Sequence, residues 1–494
     1  MSLRPRSVAA LVLTAAFATA ATPAATAAPQ PLPDKLVDKT DVRAINRHLI
    51  ALQRIADTHG GNRAASTEGH AASADYIAGK LTAAGYSVTR QEFPFTYTET
   101  LAEKLTVDGA DVPITVMTYS PSTPEGGITA PLAVVAVDET PGCEAADYGD
   151  VAGKIALVAR GACAFADKQV AAADAGAVAV IVYNNEPGPL NGTLGDPAVA
   201  RIPTGGVSQE DGAALTGRDG ASVTVDLREF QEERTSFNVI AETKTGRKDN
   251  VVMAGAHLDS VPEGPGINDN GTGSATLLEI ALQLGGKPKT ENAVRFAWWS
   301  AEEYGLVGST AYVDSLSFEQ QLDIALYLNF DMIGSPNAAY FAYDGDDSDR
   351  VGAGPGPYGS AAIEAALTGY LNERGVPTEG TDFDGRSDYG EFIAVGIPSG
   401  GLFTGAEGVK TPEQAAKWGG QAGVAYDPCY HQGCDNLGNV DRAALDRNAD
   451  AIAWTLGSFA LTTESVNGVQ PGKPAVKPQR KPGVGARSAE LAAA

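Results

Sequence analysis

The stretch from Val251 to Asp331 constrains the fold more than any other part of the chain. Three apolar runs of strand length, at Val251–Gly255, Val294–Trp299 and Ile324–Phe330, are each followed by acidic residues or histidine. Segments of helix length separate them, so the runs read as neighbouring strands of a mostly parallel, doubly wound α/β sheet. That arrangement places His257, Asp259, Asp269, Glu302, Glu303 and Asp331 near one edge of the sheet. Buried charges are costly unless something pairs or binds them. Six such residues in one place point to a metal site.

Zinc takes imidazole nitrogen and carboxylate oxygen, and two zinc ions about 3.5–4 Å apart can act together on one water. His257 and His431 suit terminal positions, one on each metal. Asp269, after the Gly264–Gly266 turn, suits the bridge between them, and Glu303 and Asp331 can complete the two shells. Glu302 is then left to face a water as general base, and Asp259 to orient the His257 imidazole from behind. A structural calcium site and a hydrogen-bonded polar loop cluster are the rival readings. Calcium prefers oxygen ligands, so the histidines weigh against it.

The start of the chain has the three parts of a secretory signal within residues 1–28. Arg4 and Arg6 supply positive charge, Val8–Ala21 is a short apolar core, and Ala25-Thr26-Ala27 offers a cleavage site. A net charge of −25 argues against nucleic acid and against an anionic membrane surface as partner. No later apolar segment is long enough to span a membrane. The four cysteines suit an oxidising compartment. Three pairings are possible, and the distance along the chain between Cys143/Cys163 and Cys429/Cys434 favours local closure of each pair.

Taken in order, residues 34–110 read as the first part of a catalytic domain, with helices at Asp41–Ala56 and Ser66–Ala84. Residues 111–230 read as a smaller inserted α/β unit, and 235–462 as the rest of the catalytic domain. Within the insert, Asp167 and Lys168 are expected on a solvated helix face. His48, His59 and His70 are expected to be structural or solvated. Late elements include a helix near Ser360–Arg374, a short strand at Ala394–Ile397 and a last helix at Arg442–Phe459. Residues 463–494 are poor in large apolar side chains and rich in Pro, and read as a disordered or processed extension.

The segments His257-Leu-Asp259, Asn268-Asp-Asn-Gly-Thr-Gly273, Ser300-Ala-Glu-Glu-Tyr-Gly305, Asn329-Phe-Asp-Met332 and Asp427-Pro-Cys-Tyr-His431 resemble the secreted two-zinc aminopeptidases of the M28 peptidase family, in particular its Streptomyces members. The inserted block is similar to a protease-associated (PA) domain. The resemblance implies a zinc-exopeptidase fold and two zinc ions held by His257, Asp269, Glu303, Asp331 and His431. It also implies Glu302 as general base and acid, and Tyr430 stabilising the carbonyl oxygen. Asp41, Asp446 and Asp450 resemble calcium ligands, and Glu379, Arg386, Asp388 and Phe403 fall in segments that line the substrate cleft. The implied activity is removal of a large apolar amino-terminal residue, such as leucine, from peptides by a secreted monomer. A carboxypeptidase or aminoacyl hydrolase of the same type is the alternative, and a noncatalytic binding module a weaker one.

Overall fold

The computed structural model describes residues 30–352 and 354–473; the expected signal segment lies outside the described residues. In chain order the strands are β1 (Ser87–Val107), β2 (Ala110–Val112), β3 (Thr115–Val116), β4 (Ile128–Val134), β5 (Ile155–Ala159), β6 (Ala179–Tyr183) and β7 (Thr204–Val207). They continue as β8 (Ser222–Glu242), β9 (Arg247–His257), β10 (Asn292–Trp299), β11 (Ile324–Phe330), β12 (Phe341–Tyr343), β13 (Glu379–Thr381) and β14 (Ser399–Phe403).

The centre of the sheet runs β14-β11-β9-β10, all parallel, with β8 antiparallel beside β10. These central strands are buried on both faces, which is why they read as continuous apolar runs rather than alternating ones. Their alternate residues feed two separate cores. Val252 and Ala254 of β9, Phe296 and Trp298 of β10, and Leu326 and Leu328 of β11 pack with helices Val42–Thr58, Thr272–Leu284 and Arg442–Leu461. Met253, Trp299 and Tyr327 point the other way, against Tyr312 and Phe392 of helices Val307–Ser315 and Gly390–Ala394. The result is helix, sheet, helix.

The insert is joined through a ribbon rather than a linker. β1 and β8 pair antiparallel from Ser87 opposite Glu242 to Val107 opposite Val223, with one irregularity between Thr100 and Ala102. One end of β8 pairs with β10 in the central sheet; the other pairs with β4, which leads to the parallel strands β5, β6 and β7. The insert has its own cores, built around Val158, Val180 and Phe165 on one face and Leu157, Ile181 and Val225 on the other. Cys143 is bonded to Cys163, and Cys429 to Cys434.

Three local expectations are corrected. Ala394–Ile397 is not a strand: Gly390–Ala394 is helical, and Ile397 N–H closes its last turn on the Phe392 carbonyl. The strand is the glycine-containing Ser399–Phe403, where a Cβ on Gly401 would stand 1.8 Å from the Asn329 carbonyl oxygen, so close pairing with β11 needs glycine. Lys168 is fully buried, whereas Asp167 is exposed. The Lys168 ammonium donates to the Pro141 carbonyl, and burial lowers its pKa to about 8. Helical spacing alone could not show that this face lies against the Cys143 loop. Residues 463–473 are ordered: Glu464–Asn467 is helical, Val466 is buried, and Asn250 donates to the Thr463 hydroxyl at 2.8 Å. Residues 474–494 lie outside the described residues. Among the described residues no helix is long and apolar enough to cross a membrane.

His59 caps the end of helix Val42–Thr58 half-buried, whereas His48 and His70 are internal. His48 bridges the Tyr76 hydroxyl at 2.7 Å and Glu279 at 3.1 Å. His70 is buried edge-on to Phe237, and neither ring nitrogen has a protein hydrogen-bond partner. Burial lowers its pKa to about 4, with Asp259 opposing and Arg63 and Arg90 adding to the shift. The folded value lies below the ordinary 6.5, so the unfolded chain takes up the proton first. His70 therefore destabilises the fold progressively as pH falls from about 6.5 toward about 4. Between about pH 7 and about pH 5, a His70→Leu variant is expected to lose less Tm than the wild type; equal losses would contradict the assignment.

Candidate metal centre

Parallel register brings the functional side chains to one edge. His257, the last residue of β9, lies opposite Trp299, the last of β10, and Phe330 ends β11 just before Asp331. The crevice beyond the carboxyl ends of parallel strands is where such sheets bind ligands. After β10 the chain turns sharply. The Gly305 and Leu306 amides both donate to the Glu302 carbonyl, and Val307 N–H donates to Ala301. Ala301 and Leu306 have φ of 57° and 59°, and Met332 and His431 also lie in the left-handed region. Non-glycine residues adopt that region at a cost of about 1–3 kcal/mol, and such strain gathers at functional sites.

Asp269 is the hub. One carboxylate oxygen lies 3.2 Å from His257 Nε2 and the other 3.4 Å from His431 Nε2. His257 Nε2 also lies 3.3 Å from Asp331 Oδ1, and His431 Nε2 lies 3.0 Å from Glu303 Oε2. Ligands about 2.0 Å from a tetrahedral zinc stand about 3.3 Å apart, so the donor spacing fits two such ions. Three-residue clusters form from His257, Asp269 and Glu303 and from His257, Glu302 and Asp331. Glu303 Oε1 is buried without a hydrogen-bond partner, as expected of a side chain awaiting a cation. Burial raises the Glu303 pKa to about 7, Asp269 adding to it and His431 opposing. Burial disfavours charge on both imidazoles, yet the surrounding carboxylates hold their pKa values well above normal.

Apart from Asp259, the supports for the cluster come from residues that sequence patterns did not mark. Asp435 accepts the backbone N–H groups of Asn268 and Asp269 at 2.8 and 2.9 Å, which fixes the hub from behind. Ser387 donates to Asp331 Oδ2 at 2.6 Å. Arg63 is fully buried, and its guanidinium donates to the carbonyls of Leu258, Pro265 and Gly266 around the loop that leads from His257 to Asp269. Asp259 stands with its carboxylate 3.8 Å from His257 Nδ1, at ion-pair distance, and accepts the Glu302 amide at 3.4 Å. Asp435 follows Cys434 directly, so its place beside the disulfide loop was the one available signal.

The expected cleft residues divide. Arg386 pairs with Glu407 at 2.9 Å and donates to the Tyr430 hydroxyl at 3.3 Å. Tyr430 stacks on His431, with ring centroids 3.8 Å apart. Phe403 ends β14 half-buried and packs on Phe341. Glu379 is held instead by Gln414 at 2.9 Å and by Lys417. Asp388 is fully buried behind the cluster rather than on an open wall, and burial raises its pKa to about 8 with His257 opposing.

The structure does not gather Asp41, Asp446 and Asp450 into a metal-ligating cluster among the described residues. Asp41 instead caps helix Val42–Thr58 and holds Arg43, which lowers its pKa through that hydrogen bond. Asp450 feels the charges of Asp446, Arg374 and Asp38.

The pattern of Peptidase family M28 matches residues 238–456, and that of the PA domain matches residues 128–215. The chain is 47% identical over 440 residues to a probable lipoprotein aminopeptidase, LpqL, of Mycobacterium tuberculosis, covering 88% of each. It is 45% identical over 461 residues to leucine aminopeptidase 2 of Trichophyton tonsurans, covering 92% of this chain and 91% of the relative. Among solved structures, an aminopeptidase from Aneurinibacillus sp. strain AM-1 superposes with a TM-score of 0.69 at 28% identity, over 90% of this chain and 98% of that one. BSAP, a zinc aminopeptidase from Bacillus subtilis, does so with a TM-score of 0.60 at 26% identity, over 88% and 99%. Together with the paired donor clusters around His257 and Asp269, these likenesses settle the family: the chain belongs to peptidase family M28, as a zinc-dependent aminopeptidase with a two-zinc site and an inserted PA domain.

Proposed function

We propose that His257, Asp331 and Asp269 hold one zinc ion, that Glu303, His431 and the second oxygen of Asp269 hold the other, and that Glu302 is the general base. The observation that carries this reading is the Asp269 carboxylate, whose two oxygens face two different imidazoles while Glu302 Oε2 stands 4.0 Å from His257 Nε2. Bound zinc supplies Lewis acidity, which polarises a carbonyl and makes water a nucleophile near neutral pH.

The protein groups do the rest. Glu302 takes the proton of the attacking water and returns it to the leaving amine. Burial raises its pKa above the usual carboxylate range, His257 opposing and Asp388, Asp331 and Glu303 adding. Arg386 donates to the Tyr430 oxygen, which leaves the hydroxyl hydrogen to donate to the developing oxyanion. Burial keeps that hydroxyl protonated by raising its pKa, although Arg386 opposes the shift.

The substrate is the amino-terminal residue of a peptide, large and apolar such as leucine. Phe403 and Phe341 supply an apolar wall at the same sheet edge, and the name of the Trichophyton relative agrees with this preference. Export is the accompanying proposal. It is supported by the amino-terminal signal pattern, by two disulfides that account for all four cysteines, and by the lipoprotein named among the relatives.

With zinc present, leucine p-nitroanilide and free-amine peptides should be cleaved and amine-blocked peptides should not. Cleavage of blocked peptides alone would favour the carboxypeptidase or aminoacyl-hydrolase alternative. Glu302→Gln is expected to lower kcat about 10²–10⁴-fold with zinc content retained; wild-type turnover, or loss of zinc instead, would contradict the base role. Asp435→Asn places an amide against the donors that now meet a carboxylate, and should weaken zinc binding about 10–100-fold in a chelator competition. Unchanged affinity would remove Asp435 from the account.

A further inference from the structure

The insert reaches the catalytic edge at Tyr119. Tyr119, just beyond β3, is buried, and its hydroxyl donates to the backbone carbonyl of Tyr304 at 2.5 Å. Tyr304 directly follows Glu302 and Glu303, in the turn held open by left-handed Ala301 and Leu306. The Tyr304 ring is itself gripped by the ribbon, with centroids 5.2 Å from Phe95 and 5.6 Å from Tyr97. Arg234 of β8 lies 3.4 Å over the Tyr97 ring. Ala65, Phe93 and Ala301 belong to the same cluster.

We propose that the insert acts on catalysis by fixing the Glu302–Glu303 turn, with Tyr119 as the positioning residue. A strained turn persists only where its surroundings over-determine it, and here the outer side of the turn is determined by the insert and its ribbon. From inside, Glu302 N–H is held by Asp259 and the Glu303 carboxylate by His431. From outside, Tyr119 fixes the carbonyl one residue further on. Tyr119 touches neither substrate nor metal-ligating atoms; it sets where Glu302 and Glu303 present their carboxylates. A catalytic group displaced by about 1 Å can lose about 10²-fold in rate, so a contact this close to the base bears on turnover more than on substrate binding. The proposal rests on the roles given above to Glu302 and Glu303.

The test compares Tyr119→Phe with Tyr148→Phe in the full chain. Tyr148 is equally buried in the insert, and its hydroxyl is shared between the Gly142 and Lys168 carbonyls, both within the insert. Two readouts are taken: amide hydrogen exchange over residues 300–308 without substrate, and kcat and KM on leucine p-nitroanilide. Tyr119→Phe is expected to speed exchange across the turn and to lower kcat about tenfold, with KM within about twofold. Tyr148→Phe is expected to change neither. Unaltered exchange or kcat in Tyr119→Phe, an equal effect of Tyr148→Phe, or failure of Tyr119→Phe to fold would each overturn the positioning role. A wild-type chain inactive on every free-amine substrate would instead sink the functional reading, while the exchange comparison would still decide the contact.

Discussion

The Asp269 carboxylate is the constraint on which the rest of the site depends. It is buried between two imidazoles, Glu302, Asp331 and Asp388 are buried close by, and the Glu303 side chain is largely covered. Such a concentration of carboxylates cannot stay charged away from water without compensating positive charge. In the chain alone the neighbouring carboxylates raise the pKa values of His257 and His431 against the opposing effect of burial. Two zinc ions would meet the same demand, and imidazole ligates metal in its neutral form. Zinc binding should therefore release protons, and it couples the local fold of three separate strand ends to the presence of the metal.

The molecule spends buried polar groups to hold this hub. Asp435 secures its backbone, Arg63 braces the loop leading into it, Ser387 holds Asp331, and the disulfide between Cys429 and Cys434 frames His431. Arrangements of this kind raise precision at the site, because a ligand held by a second residue has fewer ways to relax. The insert extends that logic. Since β1 and β8 run unbroken from one body into the other, the PA domain is built into the catalytic sheet rather than hung from it.

How much of this was legible in the sequence follows from where each residue sits. His257, Glu302, Glu303 and Asp331 announce themselves because each comes directly after an apolar run, and strand ends at one edge of a parallel sheet are spatial neighbours. His431 was marked by its cysteine frame and by family resemblance. Arg63 and Tyr119 left no such trace: each acts through backbone groups distant in sequence, and backbone partners carry no residue signature. Lys168 misled for the opposite reason: a charged residue in a helix reads as solvated, and only tertiary packing shows that Lys168 is wrapped by the Cys143 loop.

The central claim is that one buried carboxylate joins two zinc ions into a single catalytic unit. Titrating the metal-free chain with zinc, while following both bound metal and cleavage of a free-amine leucine substrate, tests it most directly. The account predicts saturation at two zinc ions per chain, protons released on binding, and full turnover only as the second ion fills. Full turnover without zinc, or saturation at a single ion with activity complete, would contradict it.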